Sequence, residues 1–206
     1  MRGSRRFSAV LAGVLAPALL AFPAPASAGR PDGHALMLQP SELAGFAVIA
    51  GGSSYTTSAA RWTAELEEQG AAGVDELAHL TADGFRAGVM EFLTGRGGSE
   101  AIYNGILFAT AAGAAQQLSE DVSYDETHYP RAVLHRSRIR GIAGAVVFSG
   151  LLAARHEASS NVIFSSGRCS YILADSIHHG SAVAQASART IAAARSVQQR
   201  LRRACA

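Results

Sequence analysis

From Gly84 to Leu173 short apolar runs alternate with glycine-bearing turns, and no other feature of this chain constrains its fold as tightly. Phe85–Leu93 leads through Gly95-Arg96-Gly97-Gly98-Ser99 into Ala101–Ala109, which reads as a hairpin because clustered glycines reverse the chain sharply. Val133–Ile139 and Ile142–Leu152 are the next expected strands. Val162–Phe164, the turn Ser165–Arg168 and Cys169–Leu173 make a further hairpin. Tight turns can join only antiparallel neighbours, whereas parallel strands need long crossovers.

Helical patterns bracket and interrupt these strands. Phe46–Ile49 is read as a first strand, and Ser58 as the N-cap of a helix running to Gln69, with Trp62 and Leu66 on one face and Gly70 ending it. Val74, Leu77 and Leu80 mark a weaker helix with Asp75 and Glu76 in its first turn. Phe108, Ala112, Ala115 and Leu118 predict a short alanine-rich helix ending near Asp121, with Tyr124–Pro130 as a polar loop. The strongest helix is Ser181–Arg203, where Val183, Ala186, Ala194, Val197 and Leu201 share a face interrupted only by Thr190. Together these predict an α+β fold: an antiparallel sheet of about five to seven strands with helices packed on one face.

The N-terminus predicts export. Arg2, Arg5 and Arg6 precede an apolar run from Phe7 to Phe22, and Ala26-Ser27-Ala28 offers small residues for cleavage between Ala28 and Gly29. Residues 1–28 are therefore read as a signal peptide. The run is shorter than the roughly 20 residues that span a bilayer, and Pro17 breaks it, so stable membrane insertion of the mature chain is not expected. Removing 28 of the 206 residues leaves 178, read as a single secreted domain over residues 29–206. In an oxidising compartment the two cysteines, Cys169 and Cys205, are expected to pair.

The leader carries three of the 18 basic residues and none of the 16 acids, so the mature chain has a formal charge of −1. A nucleic-acid partner is not expected without a basic excess. Every Lys-or-Arg position is an arginine, so a phosphate-binding loop with its lysine is excluded.

Leu38 is followed by Leu43-Ala44-Gly45-Phe46, Phe108 runs into Ala109-Thr110-Ala111-Ala112-Gly113-Ala114-Ala115, and Cys169–Leu173 precedes the terminal helix. This order of motifs resembles that of small secreted proteins and lipoproteins of actinobacteria and of the extracellular sensor-type domains of some bacterial kinases. It implies a PsbP-like α/β sandwich and a non-enzymatic binding or envelope-associated role. Alanine stands at position 44 where proline is usual, and no cysteine marks the cleavage point as in the lipoprotein members.

Motifs for chemistry are sparse. His156-Glu157 begins like a zinc-protease helix, but Ser160 stands where the second histidine belongs. His34, His79, His128, His135, His178 and His179 show no ligand spacing, so neither metal nor cofactor is expected. No nucleophile-elbow motif occurs; Asp175, Ser176 and His178 are the densest set of hydrolase-type residues, read as a polar loop after an edge strand. The feature retained is Arg136, Arg138 and Arg140 at period two, which puts three guanidinium groups on one strand face. They form either an anion- or partner-binding stripe or a solvated face paired with Glu91 or other acids on neighbouring strands.

The sequence thus points to a secreted, non-catalytic binding domain that recognises an envelope component, a protein partner or a small amphipathic or anionic ligand. The alternatives are a secreted hydrolase with a dispersed site near Ser176 and His178, and a structural envelope protein.

Overall fold

The computed structural model describes residues 33–73, 75–128, 134–152, 156–178 and 182–206. The expected signal peptide, the junction at Ala28 and Gly29, and Val74, His179 and Ser181 lie outside them. A 3-10 turn, Gly33–Leu36, precedes β1 Phe46–Thr56, α1 Ala59–Glu68, α2 Glu76–Ala82, β2 Phe85–Gly95 and β3 Ser99–Phe108. Then come α3 Ala111–His128, β4 Leu134–Arg138, β5 Val146–Leu152, β6 Glu157–Ser166, β7 Cys169–His178 and α4 Val183–Leu201. The fold is α+β. Among the described residues seven strands form one antiparallel sheet in the order β1-β2-β3-β7-β6-β5-β4.

The helices lie on both faces of this sheet, which corrects the expectation of a single covered face. Val89, Tyr103, Leu107, Val162, Phe164, Tyr171 and Leu173 pack with Ala194, Val197 and Leu201 of α4 and with Leu36, Leu38 and Leu43. On the opposite face Met90, Ile106 and Phe108 meet Trp62 and Leu66 of α1, Leu80 of α2 and Ala114 of α3. Phe148 and Ile163 meet Leu118 and Val122 of α3 on that same side. The sequence signal was present: Val146-Val147-Phe148 and Val162-Ile163-Phe164 are unbroken apolar runs, and such strands are buried on both faces.

Local chemistry explains most boundaries. The Ser58 hydroxyl accepts from the Arg61 amide at 3.3 Å and starts α1. Gly70 adopts φ +65°, conformational territory that costs glycine little, and stops it. Helix α3 runs on to His128, past the expected end near Asp121. In its polar C-terminal half Asp125 is buried and accepts from Asn161 of β6, while Tyr124 donates to the Gly70 carbonyl at 3.2 Å and stacks on His128. Strand β7 likewise continues through Asp175 to His178, between β3 and β6, so this segment is neither a loop nor next to an edge. Thr190 is fully buried in α4, and its hydroxyl shares a 2.8 Å hydrogen bond with Ser160 Oγ across the layer.

Cys169 and Cys205 form a disulfide with Cα atoms 5.6 Å apart, tying the segment after α4 to the start of β7. Among the described residues no helix is long and apolar enough to cross a membrane.

Candidate functional site

The predicted arginine stripe resolves into three different situations. Arg136 and Arg138 lie on the edge strand β4, opposite Phe148 and Val146, and so share the α3 side of the sheet. Arg136 is paired with Glu126 of α3. Its partner is thus a helix acid and not Glu91, which sits 2 % exposed on β2 and accepts the Leu38 amide at 2.7 Å. Burial pushes the Glu91 carboxyl up, against the opposing pull of that amide and of Arg200. Arg140 lies beyond β4, in the turn closed by the Ile139 amide on the Ala145 carbonyl.

Arg195 of α4 donates from Nη2 to the Arg140 carbonyl at 3.4 Å, bringing a guanidinium that sequence spacing alone did not reveal. Arg138, Arg140 and Arg195 are all exposed, and no carboxylate pairs with them among the described residues. By contrast Arg189 is held by Asp175 and Arg200 by Glu42. For Arg200, burial acts to lower its pKa, but the hydrogen bond and charge of Glu42 prevail and raise it.

The near-neutral total conceals a strong asymmetry. Residues 127–206 contain eleven arginines and only two acids, Glu157 and Asp175, whereas residues 33–126 contain three arginines and thirteen acids. Both acids of the basic half are buried. At the β4 edge Arg138, Arg140 and Arg195 therefore stand without a paired acid among the described residues, whereas Arg136, Arg189 and Arg200 are compensated. The helical layer on the other face carries Glu67, Glu68, Asp75, Glu76, Asp83 and Glu120.

The hydrolase-type residues are not assembled for catalysis. Strand alternation sends Asp175 to the α4 face, where Arg189 holds it, and Ser176 and His178 to the other. His178 places Nε2 3.1 Å from Glu100 and Nδ1 3.6 Å from Glu157, so both ring nitrogens face carboxylates. A base oriented this way is not engaged with the Ser176 hydroxyl. His156 adopts φ +50° just before β6, so His156-Glu157 is not helical. Among the described residues no group of three or more His, Cys, Asp and Glu side chains could hold a metal ion.

Two shallow hollows open on the acidic side. One of about 750 Å³ lies between α1 and α2 and is lined by Thr63, Glu67, Asp75, Glu76 and Leu77. The other, about 560 Å³, lies between α2 and α3 and is lined by His79, Asp83, Gln116 and Glu120. Both have acids among their lining residues, beside apolar Leu77, Ala78 and Ala82 in the first and Ala82 and Ala112 in the second.

No protein-family model and no curated protein matches this chain. Among solved structures it is similar to the extracellular domain of PknH from Mycobacterium tuberculosis, with TM-score 0.44, 10 % identity, and coverage of 75 % of this chain and 81 % of that one.

Proposed function

We propose that the chain is a secreted, non-catalytic binding domain whose β4 edge, carrying Arg138, Arg140 and the adjacent Arg195, takes an anionic partner outside the cell or in its envelope. The observation that carries this reading is that three exposed arginines gather at the β4 edge of the sheet, Arg138 on its α3 side and Arg195 reaching the Arg140 turn from α4, with no carboxylate paired to any of them among the described residues. Guanidinium forks match carboxylate and phosphate groups bidentately. The Cys169–Cys205 bridge supports an oxidising compartment, and cleavage after Ala28 would release the domain. No cofactor enters this reading.

Binding to immobilised polyglutamate and polyphosphate tests it. Affinity is expected to fall steeply as salt rises from about 50 to about 300 mM, because exposed charges are screened over a Debye length. Changing Arg138, Arg140 and Arg195 to glutamine together should remove the salt-sensitive binding with the fold intact. Retention of parent-like binding by this variant overturns the proposal. Ser176→Ala and His178→Ala should leave binding unchanged, and loss of an ester-, peptide- or glycoside-cleaving activity in them would instead favour the hydrolase alternative.

A further inference from the structure

The unmatched arginines have a counterpart on the same molecule. On the outer side of α1 and α2, Glu67, Glu68 and Asp75 are exposed and Glu76 is half-buried, while half-buried Asp83 lines the neighbouring hollow against α3. Glu65 is the exception in this layer, since Arg61 pairs with it at 3.0 Å. Burial raises the Glu76 and Asp83 carboxyls, and the nearby Glu120 raises them further, with only His79 as an opposing charge. Carboxylates withdrawn from water without a cation are stabilised by one brought from outside. Leu77, 43 % exposed, stands among them in the hollow between α1 and α2 and offers an apolar contact.

The turn that carries Arg140 is anchored by buried Ile139 and Ile142, while Arg140 itself is exposed and a Cβ added at Gly141 would meet nothing within 4 Å. Arg195 flanks it from α4.

We propose that the β4 edge of one copy, with Arg138, Arg140 and Arg195, docks on the acidic outer face of α1 and α2 of a second copy, so that the protein associates head to tail. This rests on that edge being an anion-binding surface and names its partner as this same chain. Charge complementarity selects the occupant, because exposed Glu67, Glu68 and Asp75, which pair with no arginine among the described residues, mirror exposed Arg138, Arg140 and Arg195, which pair with no carboxylate there. The near-zero total leaves no long-range repulsion between copies. Since the two patches are different surfaces, the contact is heterologous and does not close by itself, so chains longer than dimers form.

Sedimentation velocity on the purified protein tests this. At about 50 mM salt the average mass should climb past that of a dimer as protein concentration rises, and association should weaken about tenfold or more by about 300 mM. Two charge reversals, Arg138→Glu with Arg140→Glu and Arg195→Glu, or Glu67→Arg with Asp75→Arg, should each give a monomer. Mixing the two variants should restore association, since each keeps the surface that the other's intact face requires. Circular dichroism melts check folding, and either variant alone suffices if the other misfolds. A parent that stays monomeric at low salt, a charge-reversed variant that associates like the parent, or a mixture that stays monomeric overturns the inference. If the monomeric parent still binds polyglutamate, only this inference falls; if it neither associates nor binds, the anion-binding reading falls with it.

Discussion

The Arg189 guanidinium grips the Asp175 carboxylate with two hydrogen bonds, Nε to Oδ2 at 2.8 Å and Nη2 to Oδ1 at 2.9 Å, and so clamps α4 to the centre of the sheet. The same guanidinium lies 5.1 Å from the centroid of the Phe46 ring at the start of β1. Asp175 is fully buried, and burial raises its pKa while Arg189 works to lower it. Arg189→Met is expected to strand that carboxylate and to lower the unfolding free energy by about 3 kcal/mol in urea titrations. Adding Asp175→Asn should recover part of the loss, because the two changes share one interaction. An unchanged midpoint for the single variant would contradict this account.

Replacing Cys169 and Cys205 with serine opens a loop of sequence separation 36. The chain-entropy model assigns such a bridge about 4 kcal/mol. Denaturant titration of the double variant, compared with the parent under non-reducing conditions, measures the difference. Two titratable thiols in the unreduced parent would show that the pair is open in solution.

Stability should rise on mild acidification. Asp121 and Asp125 lie four apart on α3; burial, the largest cause, pushes their carboxyls to about 8 and about 6 from 3.8. The Gln117 amide lowers the Asp121 value and neighbouring Glu76, Asp125 and Glu120 raise it, while Asn161 and His128 lower that of Asp125. Folded values above unfolded ones mean that the neutral forms favour the fold. This contribution is complete below the unfolded pKa of 3.8 and is lost as pH rises through the folded values of about 6 and about 8. Thermal melts should therefore give a higher midpoint near pH 5 than near pH 8. Asp121→Asn, which cannot ionise, should flatten the change above about pH 6; a midpoint that climbs towards pH 8 sinks this argument.

Gly113 stands in the first turn of α3, where alanine would ordinarily improve the helix. A Cβ there would sit 2.1 Å from the Asp83 carbonyl oxygen, and backbone cannot step aside as a side chain can. Gly113→Ala is expected to destabilise by about 2 kcal/mol, measured by chemical denaturation. Ala112→Gly, one residue away and exposed, is the control and should cost about 1 kcal/mol or less.

Intact-mass measurement on the secreted product should place its first residue at Gly29, and a membrane-bound product retaining residues 1–28 would contradict the export reading.

What the sequence determined by itself was the part governed by local rules. Glycine turns and short apolar runs specified an antiparallel sheet, the Ser58 cap and Gly70 delimited α1, and an even pair of cysteines in an export-type chain anticipated the bridge. Tertiary structure decided wherever a polar residue found its partner far along the chain. Asp125 reaches Asn161 and Thr190 reaches Ser160, so Asp125, within a stretch that read as a loop, and Thr190, which read as an interruption, are buried helical residues. Asp175 and Ser176 are neighbours in sequence yet face opposite layers, because strand alternation overrides adjacency. The candidate site divides the same way. Period two identified Arg136, Arg138 and Arg140, but only the packing of α3 and α4 removed Arg136 through Glu126 and added Arg195 beside Arg140. Charge acts through space, and distance through space is set by the fold.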